Sequence, residues 1–255
     1  MVITDTHVHL YSEAFDEDRD EVIKQAVDAG VDRFFIPAID STYTQRMHDL
    51  KNSYPDKIFL MMGLHPTHVK ENYQDELDHV YSQLKQNKFY AVGEIGIDLY
   101  WDKSTLGIQQ EAFAQQIRWA KEVDLPIVIH CRDAFDEVFE VLEQEKHDRL
   151  RGIFHCFTGN KKQAVQAISY GMKLGIGGVV TFKNGKIDQF LNEIDLKHIV
   201  AETDAPYLAP TPYRGKRNDP KYILNVIEKL ATLYQTTPAR IATITTANSK
   251  EVFNV

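Results

Sequence analysis

Residues 125–131 read LPIVIHC, an apolar run rich in β-branched side chains that ends on an imidazole and a thiol. A strand with one wet face alternates apolar and polar residues. This one does not alternate, so it reads as a strand covered on both faces, as in a parallel sheet. Helical patterns flank it on either side. In GIQQEAFAQQIRWAKEVD, Phe113, Ile117 and Ala120 share one stripe; in DEVFEVLEQEKHDR, Val138, Phe139, Val141 and Leu142 face inward.

Working outward, the same alternation recurs along the whole chain. VITDTHVHL, RFFIPA, KIFLMMGL, YAVGEIGI, RGIFHCF, MKLGIGGVV and KHIVAETD join LPIVIHC as candidate strands, eight in all. Helical segments separate them. RDEVIKQAVDAG carries a Val22, Ile23, Ala26, Val27 stripe with Gly30 as its stop, and PKYILNVIEKLATLY carries Ile223, Val226, Ile227 and Leu230. Thr237 and Pro238 open a last helix as N-cap and first residue. Eight strand–helix units in 255 residues predict an α/β fold, a (β/α)₈ TIM barrel, formed as a single domain over residues 1–255. A doubly wound open sheet is the alternative. It lacks a glycine-rich turn after the first strand, where DTHVHLYSE stands instead.

Composition narrows the class. With 43% hydrophobic and 26% charged residues the chain has an ordinary globular balance. Its apolar runs are too short to span a bilayer, no signal-type stretch precedes Asp5, and two cysteines do not make a disulfide scaffold. A cytoplasmic protein with no membrane partner is expected, and no obligatory protein partner is legible. A net charge of −8 argues against broad coating of nucleic acid, though not against one small site that touches it.

The polar residues fall at the C-terminal ends of the strands, where active sites of this fold sit. His7 and His9 end the first, His65 the third, Glu94 the fourth, His130 the fifth, His155 the sixth and Asp204 the eighth. If DTHVHL is extended, Asp5, His7 and His9 project from one face. Four imidazoles (His7, His9, His130, His155) and two carboxylates can hold two divalent cations if one carboxylate bridges them, and Glu94 is the expected bridge. Two such ions about 3.5–4 Å apart polarise a substrate oxygen and activate a water. Asp204 is expected to ligate and to accept that water's proton, with Asp5 orienting an imidazole. His48, His79, His147, His68 and His198 read as structural or solvated. Cys131 and Cys156 read as small core residues facing away from the neighbouring ligands.

DTHVHL, GLHP, GEIGIDLYW, PIVIHCRDA, FHCFTG, ETDAPYLAP and RGKRNDP occur in that order. In these motifs the chain resembles the TatD family of metal-dependent deoxyribonucleases, amidohydrolase-like TIM barrels. The resemblance implies one metal on His7, His9, Glu94 and Asp204 and another on Glu94, His130 and His155. It also implies Mg²⁺-dependent 3′→5′ hydrolysis of DNA phosphodiesters at single-stranded or 3′ ends. Substrate contacts are implied for His65, Arg132, Asp98 and Tyr207, with His65 joining Glu94 and Asp204 in catalysis. Imidazole-rich coordination fits Zn²⁺ or Mn²⁺ better than Mg²⁺, so the protein as purified is expected to carry a transition metal. The loop PYRGKRNDPK adds Arg214, Lys216, Arg217 and Lys221 after the eighth strand; Arg214 and Arg217 are expected on the phosphate backbone. Tyr100 and Trp101 are read either as a stacking surface for a base or as packing residues. Two rivals share this framework: a small-molecule amidohydrolase or esterase, and a vestigial barrel. Against the first, binuclear relatives of that kind often bridge with a carboxylated lysine, where this chain has Glu94. Against the second, the ligand set is intact.

Overall fold

In the computed structural model, which describes residues 1–255, all eight runs form strands that pair in parallel. They are β1 (Ile3–Asp5), β2 (Val31–Ile36), β3 (Ile58–Leu60), β4 (Val92–Asp98), β5 (Ile127–Arg132), β6 (Gly152–Phe154), β7 (Met172–Ile176) and β8 (Ile199–Ala201). Order in space follows order in sequence, β1–β2–β3 in one ladder and β4 through β8 in the other. The ladders meet at both edges. Met62 bridges to Val92 between β3 and β4, and the Thr6 N–H donates to the Ala201 carbonyl at 3.1 Å between β1 and β8. The sheet therefore closes into a barrel.

Helices α1 (Arg19–Asp28), α2 (Thr44–Ser53), α3 (Tyr73–Gln86), α4 (Leu106–Glu122), α5 (Phe135–Gln144) and α6 (Lys161–Ser169) connect successive strands. Their predicted stripes are buried: Val22, Ile23 and Ala26 on α1, Phe113, Ile117 and Ala120 on α4, Val138 through Leu142 without Glu140 on α5. The expected alternation fails once. Between β7 and β8 the chain makes four short 3-10 turns within residues 178–198, because glycines and a left-handed Lys186 (φ 56°) interrupt any helical stripe. Helices α7 (Ile223–Leu233) and α8 (Pro238–Phe253) both follow β8, and Thr237 caps α8 by accepting from the Arg240 N–H. Phe253, at the end of α8, stacks on Phe35 of β2 at 3.7 Å. No helix is long and apolar enough to cross a membrane.

Two features of this frame aim side chains at the strand ends. First, the β4–β5 register shifts between Val92 and Ile95, an irregularity that redirects Glu94. Gly96 follows with φ 137°, and a Cβ there would sit 2.0 Å from the His130 carbonyl oxygen, so only glycine lets β4 approach β5 this closely. Second, α4 carries two buried glutamines one heptad apart. Gln109 donates to and accepts from the Asp98 backbone (3.1 and 2.8 Å), and Gln116 does the same for Leu64 (3.3 and 2.7 Å). These amides fix the end of β4 at Asp98 and the loop that carries His65.

Candidate metal centre

His7 and His9 lie just beyond β1, whose strand ends at Asp5. Their convergence comes from the turn after the strand, not from strand alternation. Their Nε2 atoms are 3.2 Å apart. Around them the other strand ends supply the remaining groups, and Glu94, buried, occupies the centre. Its Oε2 lies 3.0 Å from His7 Nε2 and 3.9 Å from His9 Nε2. Its Oε1 lies 2.8 Å from His130 Nδ1, 3.1 Å from His155 Nε2 and 3.2 Å from His65 Nε2. Asp204, in the left-handed region at φ 58°, places Oδ1 3.3 Å from His9 Nε2 and 3.8 Å from His7 Nε2. The rings of His7 and His155 stack at 3.7 Å.

This crowding fits a cation-binding site. Five imidazoles around one carboxylate offer more nitrogen atoms than its lone pairs can engage as hydrogen bonds, and His7 and His9 face each other nitrogen to nitrogen. Three overlapping sets have ligating atoms within 4.8 Å of one another: His7–His9–Glu94, His65–Glu94–His130 and His7–His155–Asp204. Burial pushes Glu94 up, but His155, His65 and His7 outweigh it and hold the carboxyl well below its ordinary range. Asp204 is likewise lowered: burial acts against the shift and His9, His155 and His7 drive it. Burial pushes His65 down to about 4 and also lowers His7, leaving neutral rings with free lone pairs, the form that binds metal.

Behind the imidazoles stand partners that fix their tautomers. His9 Nδ1 meets the Tyr11 hydroxyl at 2.9 Å, His130 Nε2 meets Asp98 Oδ2 at 2.9 Å, and His155 Nδ1 meets Glu202 Oε1 at 3.2 Å. Glu202 also accepts the Cys156 N–H at 2.6 Å. It fits because Gly175 opposite has no Cβ; one there would lie 2.3 Å from Glu202 Oε2. Tyr11 and Glu202 escape a sequence reading. Both are ordinary neighbours of a motif, and only their alternation with His9 and Asp204 hints at a shared locus.

Several expectations need correction. Asp5 touches no imidazole; its oxygens accept the Thr203 hydroxyl (2.6 Å) and the backbone N–H of Thr203 and His7. Both oxygens of Asp98 are engaged, one by His130 and the other by the Tyr100 and Trp101 N–H groups, so the contacts it makes position those elements. His65, expected in catalysis and at the substrate, stands within the imidazole cluster, 3.2 Å from Glu94 Oε1 and 3.3 Å from His130 Nδ1. Arg217 is held bidentately by Asp18 (2.6 and 2.8 Å) and lies over the Phe15 ring, which removes it from the site. Its charge is spent tying the loop after β8 to the segment before α1. Arg214 is exposed and rests on Phe182 at 3.7 Å, outside the central cavity's lining. Cys131 and Cys156 are only partly buried and both line that cavity, Cys156 where the chain turns with φ 43° on leaving β6. His68 pairs with Asp40 at 2.6 Å at the cavity edge. Arg132 and Tyr207, both expected near substrate, do line this cavity of about 580 Å³ together with His9, Glu94 and Asp204.

The family model described as "TatD related DNase" matches residues 4–254. The chain belongs to the TatD family. It is 39% identical, over the full length of both chains, to the uncharacterized metal-dependent hydrolase YabD of Bacillus subtilis. It is 33% identical to the 3′-5′ ssDNA/RNA exonuclease TatD of Salmonella typhimurium, covering 98% of each chain. Among solved structures, the TatD homologue YjjV of Escherichia coli superposes with a TM-score of 0.93 at 29% identity, covering 99% of this chain and 98% of the other. As a TatD-family protein, the chain is a metal-dependent hydrolase.

Proposed function

We propose that this chain is a cytoplasmic phosphodiesterase that removes nucleotides from the 3′ end of single-stranded DNA. Residues 1–255 act as one catalytic domain. The observation that carries the reading is the division of Glu94: one oxygen faces His7 and the other faces His65, His130 and His155. A carboxylate so divided would serve two cations.

His7, His9 and Asp204 would hold one ion beside Glu94 Oε2, and His130, His155 and His65 the other beside Oε1. Bound divalent metals supply positive charge for a phosphoryl oxygen and lower the pKa of a water; Mg²⁺ serves the reaction, and Zn²⁺ or Mn²⁺ suits the imidazoles. Asp204, held ionised, accepts the proton of the attacking water. Arg132, exposed at the mouth, offers the cation that orients a phosphodiester. Tyr11, Asp98 and Glu202 keep the imidazole rings aligned throughout. The 3′ direction and the nucleic-acid substrate draw support from the names of relatives such as the Salmonella exonuclease.

The test is hydrolysis of a single-stranded oligonucleotide labelled at either end, with EDTA, Mg²⁺, Mn²⁺ and Zn²⁺ compared and Glu94→Ala run beside the wild type. Stepwise shortening from the 3′ end, abolished by EDTA and in the variant, is the expected result. No shortening with any metal, from a protein that still binds metal, would transfer the reading to a small-molecule hydrolase.

A further inference from the structure

Seven large apolar or aromatic side chains are exposed: Met1, Val2, Tyr100, Trp101, Val165, Tyr207 and Leu208. Three of them, Trp101, Tyr207 and Leu208, line the central cavity, and Tyr100 adjoins Trp101 with ring centroids 4.9 Å apart. An indole 72% exposed beside a catalytic cavity is unfavourable as packing. Nor is its position loose. Asp98 accepts the Tyr100 and Trp101 N–H groups (3.0 and 3.3 Å) with one oxygen and meets His130 with the other, so the aromatic pair is in register with the metal centre. Arg132 lies over the Tyr100 ring at 3.7 Å and 5.6 Å from that of Trp101.

A second cavity, about 400 Å³, opens beside the first. The two share Thr67, His68, Asp98 and Trp101, which makes the indole part of the partition between them. Asp102, Thr105 and Lys70 line this side cavity, which offers the polar edge of a base both acceptors and donors. Resting on the phosphodiesterase reading above, we propose that Trp101 and the side cavity form a nucleobase seat. It takes the unpaired base next to the scissile phosphodiester while Arg132, one step away, takes the phosphate. Stacking on an exposed indole accepts any base, but only one that has left a duplex. The seat would therefore make the enzyme selective for single strands.

The test compares two oligonucleotides of one length, one fully base-bearing and one with an abasic site at the nucleotide beside the scissile bond. In wild type, kcat/KM for the first exceeds that for the second. In Trp101→Ala that ratio falls by about five- to 150-fold, the range expected for one stacked base, and Trp101→Phe retains most of it. A second readout needs no turnover. In a Trp119→Phe background Trp101 is the sole tryptophan, and its fluorescence is quenched saturably by the base-bearing strand and weakly by the abasic one. An equal ratio in wild type and Trp101→Ala, or equal quenching by both strands, overturns the seat. Absence of hydrolysis overturns the phosphodiesterase reading alone, and the quenching experiment still decides the seat.

Discussion

At the scale of single residues, each candidate ligand is held by what stands behind it. Glu202 is buried, joins His155 Nδ1 through one oxygen and the Cys156 N–H through the same atom, and leaves Oε2 without a partner. Burial lowers His155, but Glu94 and Glu202 together hold it well above its ordinary value. Replacing Glu202 by Gln keeps an acceptor for Cys156 and removes the charge behind the ring. The expected result is a metal affinity reduced by about 10- to 100-fold, as for other partners behind ligating imidazoles. Titration with Mn²⁺ measures it; an unchanged affinity would leave Glu202 a purely local support for the backbone.

At the scale of elements, charge serves attachment more than function. Glu145, just past the end of α5, is gripped by Arg118 (2.6 and 2.8 Å) and Lys121 (2.6 Å) of α4. Burial raises its pKa, yet the bonds from Lys121 and Arg118 outweigh that and hold it below 4.5. A carboxyl depressed on folding contributes stability above its unfolded pKa and loses it as pH falls through the folded value. Urea denaturation should therefore show Glu145→Gln less stable than wild type by about 1–3 kcal/mol at pH 7. The gap should close as pH falls below 4.5; a gap independent of pH would contradict the ion-pair account. The elements themselves were the most legible part of the sequence. Apolar runs such as LPIVIHC, and the stripe of α5, form where the pattern requires. The β7–β8 crossover was illegible as turns, because short 3-10 segments carry no periodicity of their own. The charge on Arg217 misled for a related reason: sequence shows a cation, but not that Asp18, 199 positions away, neutralises it.

At the scale of the whole molecule, the barrel gathers groups from residues 7 to 204 into one cluster. The ligand candidates were legible because a (β/α)₈ barrel sends every strand end to one face, so position along each strand stood for position in space. The partners Tyr11 and Glu202 were not legible in these roles, since both lie past the ends of β1 and β8 and their contacts depend on how the chain turns there. Asp98, the last residue of β4, was legible as a site residue but not as the partner of His130. The account rests on one shared carboxylate at the centre of this gathering. Its most direct test is the number of metal ions bound per chain, by elemental analysis and calorimetric titration of wild type and Glu94→Ala, with circular dichroism to verify folding. Two ions in wild type, and the loss of at least one in the variant, are predicted. A single ion in wild type, or two retained without Glu94, would contradict the bridged centre.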